Sequence, residues 1–207
     1  MEVGPPAFPQ FEGTVYRATT YDEPLWVWPN SREGRWNSDE ETTIAQYCSL
    51  DPSAAVAELV RHENLRDPDE AAELTVDVWE LRVSEGAVVT HTSIDQASTD
   101  LSLGDLTADD WGPCQFEGER LQALGVRGIL APNAALPGSV NLTLFGERTE
   151  IDWDATPRVS VQVPCRFVLR ASPGPHLVGQ TRFFGESFPP EVQLNDVDHY
   201  LSRRPGL

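Results

Sequence analysis

The chain has 207 residues, enough for one domain with a sizeable core, and carries a formal net charge of −18 at pH 7. A surface this acidic repels phosphate backbones and anionic lipids, so it argues against nucleic acid or a membrane as a direct partner and favours a basic protein. All 15 basic residues are arginine, which excludes chemistry that needs a lysine and suits the paired oxygens of a diphosphate.

The predicted elements follow from hydrophobic periodicity, turn residues and helix caps. In chain order they are a Pro-rich extended lead-in (1–12), a strand (13–19), a loop (21–43), a strand (45–50), a helix (52–62), a short helix (66–74), a long strand bent near Gly86 (74–89), a weak helix (93–103), a firmer helix (112–124), strands at 126–131 and 140–145, a strand interrupted by Pro164 (158–170) and a short helix (192–201). Asp51 is the predicted N-cap of the helix at 52–62, and Pro52 suits its first position.

The cysteines and histidines are too scattered to indicate a metal site or a disulfide framework. Cys48, Cys114 and Cys165 form no C-x-x-C pair, and no two histidines have the H-E-x-x-H spacing. The first residues lack the basic and apolar regions of a signal peptide, and no apolar run is long enough to span a bilayer. We therefore expect a metal-free cytoplasmic protein with reduced thiols.

Glu58 is the acidic residue in the middle of the helix predicted at 52–62. It lies roughly opposite Val56 on the helical wheel, on the side that carries Ala54 and Ala55. One interpretation is a solvated glutamate on the outer face, which is the usual location of a charge. The other is a carboxylate in the wall of a cleft, where alanines let a ligand approach closely. Helix geometry alone does not choose between them.

Several short motifs occur in an ordered set over roughly residues 13–150. They are Tyr16-Arg17, Arg35-Trp36-Asn37, Tyr47, Glu58 within its alanine-rich helix, and Gly128-Ile129-Leu130-Ala131-Pro132-Asn133-Ala134-Ala135, which is followed by Pro137-Gly138 and by a strand from Asn141-Leu142 to Phe145-Gly146. The set resembles the RES domain family, the toxin halves of RES–Xre toxin–antitoxin pairs. The family's loop has the pattern G-I-x-x-P-S-A, and Asn133 stands here where that pattern has serine.

The resemblance implies a fold similar to that of the ADP-ribosyltransferases. Together with the predicted elements, it gives a single compact α+β domain with a mixed or antiparallel β core and flanking helices. Within that domain we expect a lead-in at residues 1–12, a RES-like core at 13–150 and a C-terminal extension at 151–207 packed on the same domain.

The resemblance also implies that NAD is the substrate and that no metal takes part. Cleavage of the nicotinamide–ribose bond passes through an oxocarbenium-like cation, which needs a nearby carboxylate, donors for the diphosphate and an aromatic ring for the nicotinamide. The resemblance assigns these tasks to Glu58 (carboxylate), Arg17 and Arg35 (phosphates or ribose), Tyr47 (stacking on nicotinamide), Asn37 (ligand contact) and Asn133 (polar contact of the family's serine). Glu58, Arg17 and Tyr47 are the expected catalytic residues.

Two functions of different classes follow from the resemblance. The first is an NAD glycohydrolase, phosphorylase or ADP-ribosyltransferase that acts as a toxin and is restrained by an Xre-type antitoxin. The alternative is a RES-fold protein that binds a nucleotide or a partner with weak or lost turnover, because Asn133 replaces the serine. The sequence leaves open whether the acceptor is water, phosphate or protein, and whether the chain forms homo-oligomers.

Overall fold

A mixed eight-stranded sheet forms the centre of the computed structural model, which describes residues 8–25, 27–28, 33–38, 44–91, 101–158 and 161–189. The strands are β1 (Phe11–Thr19), β2 (Ala45–Ser49), β3 (Val76–Glu85), β4 (Val88–Thr90), β5 (Gly128–Pro132), β6 (Val140–Phe145), β7 (Thr149–Asp152) and β8 (Gln162–Ala171). The helices are α1 (Pro52–His62), α2 (Pro68–Glu73), α3 (Leu103–Thr107), α4 (Gly112–Ala123) and α5 (Pro175–Gln180).

The sheet divides into two halves between β1 and β2. Its strand order is β4-β5-β6-β2-β1-β3-β8-β7, and the pairs β4–β5 and β7–β8 are parallel while the others are antiparallel. β1 and β3 pair over nine residues, whereas β1 and β2 share the single register pair Tyr16–Ser49. On either side of that pair the backbones of β1 and β2 are free to diverge.

The connection from β3 to β4 brings the two halves close together. Only Gly86 and Ala87 separate the end of β3 from the start of β4, although β4 lies at the far edge of the other half. The sheet must therefore curl until this edge meets the start of β1, where the Val88 N–H donates to the Pro9 carbonyl at 2.9 Å. Ala87 turns the chain with a φ of 55°, which is uncommon outside glycine.

The main apolar core is enclosed between the two halves of the sheet. It contains buried side chains from β1, β2, β3, β5, β6 and β8, including Val15, Leu81, Leu142 and Leu144. A second cluster packs α3 and α4 on β5 and β6 around Trp36, and a third packs α1 against α2 and α5. Gly118 lets α4 approach the second cluster, because a Cβ there would lie 2.7 Å from the Trp36 carbonyl oxygen.

The predicted fold class is confirmed: the chain is a single compact α+β domain with a mixed sheet and flanking helices. Helix α1 is also confirmed, and the Asp51 carboxylate accepts from the N–H groups of Ser53 and Ala54 at 2.7 and 3.3 Å. The long strand predicted at 74–89 is wrong as one element, because the bend at Gly86 carries the chain into the other half-sheet.

Other differences are local. The first strand begins at Phe11, inside the predicted lead-in, and the sequence predicted neither β7 nor α5. Where a weak helix was expected at 93–103, residues 92–100 lie outside the described residues and α3 begins only at Leu103. The helix predicted at 192–201 also lies outside them. In the described ranges no helix has both the length and the apolar character needed to cross a bilayer.

His91 is a buried histidine next to the second core cluster. Its ring stacks on Trp36 with centroids 5.4 Å apart, and neither ring nitrogen has a hydrogen-bond partner among the described residues. Burial lowers the pKa of His91 to about 4, against an opposing effect of Glu117. The folded protein therefore resists taking up a proton that the unfolded chain accepts near pH 6.5.

We predict that the free energy of unfolding of His91→Phe rises relative to that of the wild type as the pH falls. The unfolded state binds the additional proton between pH 6.5 and 4, so the wild type loses about 2 kcal/mol relative to the variant from pH 7 to pH 5. Urea unfolding of both proteins at the two pH values measures this difference. His176→Phe, at an exposed position on α5, is the control. A gap that stays constant with pH would contradict the prediction.

Candidate functional site

A cavity of about 270 Å³ opens where β1 and β2 diverge. Its walls come from β1, β2, α1, the loop at 33–36, β5 and β6, with Trp111 and Phe184 added from more distant parts of the chain. Within the described residues, four of the predicted site residues line this cavity: Arg17, Arg35, Tyr47 and Glu58. They lie far apart in sequence, and the split in the sheet brings them together.

Glu58 lies in the cavity wall with its side chain 27% exposed. The alanine side of α1 therefore faces the cleft, since Ala55 lines the same cavity and Ala54 is fully buried. The Nδ2 group of Asn141 donates to Glu58 Oε1 at 2.8 Å, and His62 Nε2 lies 3.9 Å from Oε2. The carboxylate is thus oriented by the protein and still reaches the cavity.

Tyr47 is fixed by its hydroxyl group. The hydroxyl donates to Asn37 Oδ1 at 2.7 Å and accepts from the Trp36 N–H at 2.9 Å. Burial raises the pKa of Tyr47 well above its ordinary range, so the phenol is neutral at physiological pH. Gly34 makes this arrangement possible, because a Cβ there would lie 2.5 Å from the hydroxyl oxygen. With the hydroxyl engaged, the ring is the part of Tyr47 that can contact a ligand.

Within the described part of the chain, three guanidinium groups lie in the cavity wall, those of Arg17, Arg35 and Arg61. Arg17 is buried and donates to Gln46 Oε1 at 2.8 Å. Arg35 Nη1 is buried and has no hydrogen-bond partner among the described residues. Burial lowers the pKa of Arg61 to about 10, which leaves it protonated at neutral pH. The wall of the cavity therefore suits an anionic ligand, although the whole chain is acidic.

Asn37 and Asn133 do not line the cavity; each supports a residue that does. Asn37 is buried and accepts the hydroxyl hydrogen of Tyr47. Asn133 is fully buried, and its Oδ1 accepts from the N–H groups of Ala135 and Leu136 at 2.8 and 2.7 Å. Both residues are predicted to contact the ligand, and in the described structure each lies behind the cavity wall.

Comparison with known proteins supports the resemblance stated from the motifs. The model of the RES domain family matches residues 14–164, which is more than half of the chain. The chain belongs to the RES domain family. Phe184, in the cavity wall, lies 20 residues beyond the end of this match.

Among solved structures, the RES domain is similar to a chain in the crystal structure of the M. tuberculosis MbcT–MbcA toxin–antitoxin complex. The TM-score is 0.59 at 21% sequence identity, over 84% of this chain and 90% of that chain. At that identity the similarity establishes the fold. No curated protein has a matching sequence.

Asn141 is a residue of this RES domain whose role the motifs did not indicate. Its Oδ1 accepts from the Ser49 hydroxyl and from Asn133 Nδ2, the latter at 2.7 Å. Because two donors occupy the oxygen, the amide nitrogen must point the other way, toward Glu58. Asn133, Asn141 and Glu58 therefore form a hydrogen-bonded chain from the buried loop at 133–139 to the cavity. This hydrogen-bonded chain becomes apparent only from the register of β2 and β6, which places Ser49 opposite Asn141.

We predict that Asn141→Asp destabilises the RES domain more at pH 8 than at pH 5.5. The new carboxylate would replace a donor 2.8 Å from Glu58, and two like charges at that distance raise one pKa in the folded state. The variant then keeps its stability at low pH, where the carboxyl group is protonated. Its free energy of unfolding falls as the pH rises through the raised pKa. Thermal unfolding at the two pH values measures the effect.

Gln10→Glu, which also changes an amide to a carboxylate but at an exposed position, is the control and should shift the midpoint little at either pH. If Asn141→Asp and Gln10→Glu show the same pH dependence, Asn141 does not orient Glu58 in the way the hydrogen bond indicates.

Proposed function

We propose that this RES domain cleaves the nicotinamide–ribose bond of NAD. The observation that carries the proposal is the convergence of Glu58, Tyr47, Arg17 and Arg35 on one cavity. A carboxylate, an aromatic ring and guanidinium groups are the groups that this reaction needs, and the resemblance assigns these same residues to it.

In the proposed reaction Glu58 stabilises the positive charge that develops on the ribose. The bond between the ribose C1′ and the pyridinium nitrogen breaks, and its electron pair leaves with neutral nicotinamide. An acceptor oxygen from water, phosphate or a protein side chain then forms the new bond to C1′. When the acceptor is water or a hydroxyl group, its proton passes to Glu58 or to solvent. The hydrogen bond from Asn141 holds Glu58 in place during these steps.

The phosphates of the substrate would be held by guanidinium groups. The Arg35 Nη1 hydrogens have no partner in the described residues, so a phosphate oxygen would satisfy a buried donor that otherwise costs free energy. Arg17 already donates to Gln46, which fixes its orientation before the ligand arrives. A planar guanidinium suits this task because its donors match phosphate oxygens in pairs.

We further propose that the chain is the toxin of a toxin–antitoxin pair and acts in the cytoplasm, where NAD is available. The family match and the similarity to a chain of a toxin–antitoxin complex support this role. The net charge of −18 favours a basic surface on the antitoxin, and an Xre-type protein is the partner that the family resemblance implies.

The test of the proposed reaction compares Glu58→Gln with the wild type. We expect purified wild-type protein to release nicotinamide from NAD, and Glu58→Gln to do so about 10²–10³-fold more slowly, because the charge that faces the ribose cation is lost. Glu63→Gln, at an exposed position just after the same helix, is the control and should retain full activity. Equal rates for Glu58→Gln and the wild type would remove Glu58 from the reaction.

The alternative function, binding without turnover, rests on the replacement of the family's serine by Asn133. Asn133 lies behind the cavity wall and holds the loop and Asn141 rather than the ligand. Asn133→Ser should therefore lower the free energy of unfolding by about 1–3 kcal/mol and bring no gain in nicotinamide release. Faster release by Asn133→Ser, together with a wild type that NAD stabilises thermally without being cleaved, would favour the alternative.

A further inference from the structure

Three aromatic rings meet at the outer side of the cavity. The ring centroid of His62 lies 6.1 Å from that of Trp111 and 5.7 Å from that of Phe184, and the Trp111 and Phe184 centroids are 6.3 Å apart. All three residues line the cavity, and the His62 side chain is 50% exposed. We call this group the aromatic rim. None of its members belongs to the motifs that indicate the family.

The rim depends on a C-terminal segment that is anchored by charge. The Asp109 carboxylate binds Arg61 at 2.6 Å, Arg182 at 3.1 Å and the Gly185 N–H at 2.6 Å. Arg66 adds bonds to Glu186 at 2.6 Å and to the Phe184 carbonyl at 3.0 Å. These contacts tie residues 182–186 to the end of α1, and the Arg61 guanidinium lies 4.3 Å from the Phe184 ring centroid. Phe184 is thus held in place by the bonds to its own carbonyl and to the next residue, and by the Arg61 guanidinium over its ring.

The rim also carries an unused hydrogen-bond donor. Trp111 Nε1 is buried and has no partner in the part of the chain that the structure describes. A buried indole N–H usually finds an acceptor, so an unpaired one beside a cavity indicates a ligand that supplies it. A purine has ring nitrogens that accept hydrogen bonds and a flat face that stacks on aromatic rings.

The size of the cavity indicates where the second base of a bound dinucleotide would lie. A space of about 270 Å³ lies just below the usual range for ligand pockets, about 300–1,000 Å³, and does not enclose a whole dinucleotide. If the nicotinamide ribose lies at Glu58, beside the half-buried Tyr47, the other half of the dinucleotide must extend toward the more exposed wall. His62 follows Glu58 by one turn of α1, so the rim is the adjoining surface.

We propose that the aromatic rim of His62, Trp111 and Phe184 is a binding subsite for the adenine base of the dinucleotide. Stacking on these rings supplies affinity, and Trp111 Nε1 donates to a ring nitrogen of the base. This assignment rests on the proposed function for the position of the reacting ribose. It also gives the C-terminal segment, which lies beyond the family match, a role in selecting NAD over nicotinamide mononucleotide.

The first experiment measures binding of AMP by calorimetry to the full chain. We expect the wild type to bind AMP and Phe184→Leu to bind about tenfold more weakly, because leucine keeps the apolar bulk but removes the stacking ring. Phe184→Tyr should restore affinity. Phe116→Leu, an exposed aromatic on α4 outside the cavity, is the matched control and should bind AMP as the wild type does. Circular dichroism melts show whether each variant is folded.

The second experiment compares cleavage of NAD with cleavage of nicotinamide mononucleotide, which lacks the adenosine half. In Phe184→Leu we expect kcat/KM to fall about tenfold for NAD and less than about twofold for the mononucleotide. An equal fall for both substrates would indicate a general disturbance of the cavity and would overturn the proposal. Absence of AMP binding by the wild type would also overturn it.

The two experiments separate the subsite from the proposed reaction. Phe184-dependent AMP binding by a protein that leaves NAD intact would support the rim and refute the cleavage. NAD cleavage that depends on Glu58, with the same preference for NAD over the mononucleotide in Phe184→Leu and the wild type, would support the cleavage and refute the rim.

Discussion

The single register pair between Tyr16 and Ser49 is the constraint on which the site depends. A sheet with a continuous β1–β2 ladder would have no gap at this point, because backbone hydrogen bonds would hold the two strands side by side along their length. The two-residue turn after Glu85 works with this constraint, because it forces the two halves to curl around a common core. The core therefore stabilises a sheet that remains open on one side, and α1 covers the opening.

The short hydrogen bond that orients the carboxylate at that opening comes from an amide. Asn133 and Ser49 both donate to Asn141, and Asn141 donates to Glu58. A neutral amide orients a carboxylate without neutralising it, whereas a close arginine would compete with a developing cation for the same negative charge. Arg61, the buried guanidinium on α1, makes its hydrogen bonds to Asp109 and to the Ala134 carbonyl. Burial lowers the pKa of Arg61, and the negative charge of Glu58 opposes that shift, so the two side chains also interact electrostatically.

Features that depend on neighbours in sequence were predictable, and those that depend on strand register were not. Asp51 and Pro52 determine the start of α1 locally, so its bounds followed from the sequence. The motif residues Arg17, Arg35, Tyr47 and Glu58 were found by their order along the chain, although their convergence needed the fold. Asn141 follows the family's loop in sequence, but its role could not be predicted, because its partners Ser49 and Glu58 come from other elements.

The acidity of the chain and the arginines of its cavity belong to one arrangement. A buried guanidinium is tolerated only where acceptors replace its lost hydration. Arg17 has Gln46, and Arg61 has Asp109. Burial raises the pKa of the Cys114 thiol and the neighbouring Arg35 opposes that shift, so Arg35 already interacts with one side chain, but its buried Nη1 has no hydrogen-bond acceptor in the described residues. The acidic surface repels free anions, which leaves affinity to contacts inside the cavity. Selectivity among anionic ligands then comes from the shape of the ligand and from its stacking on aromatic rings. Inorganic anions lack both features.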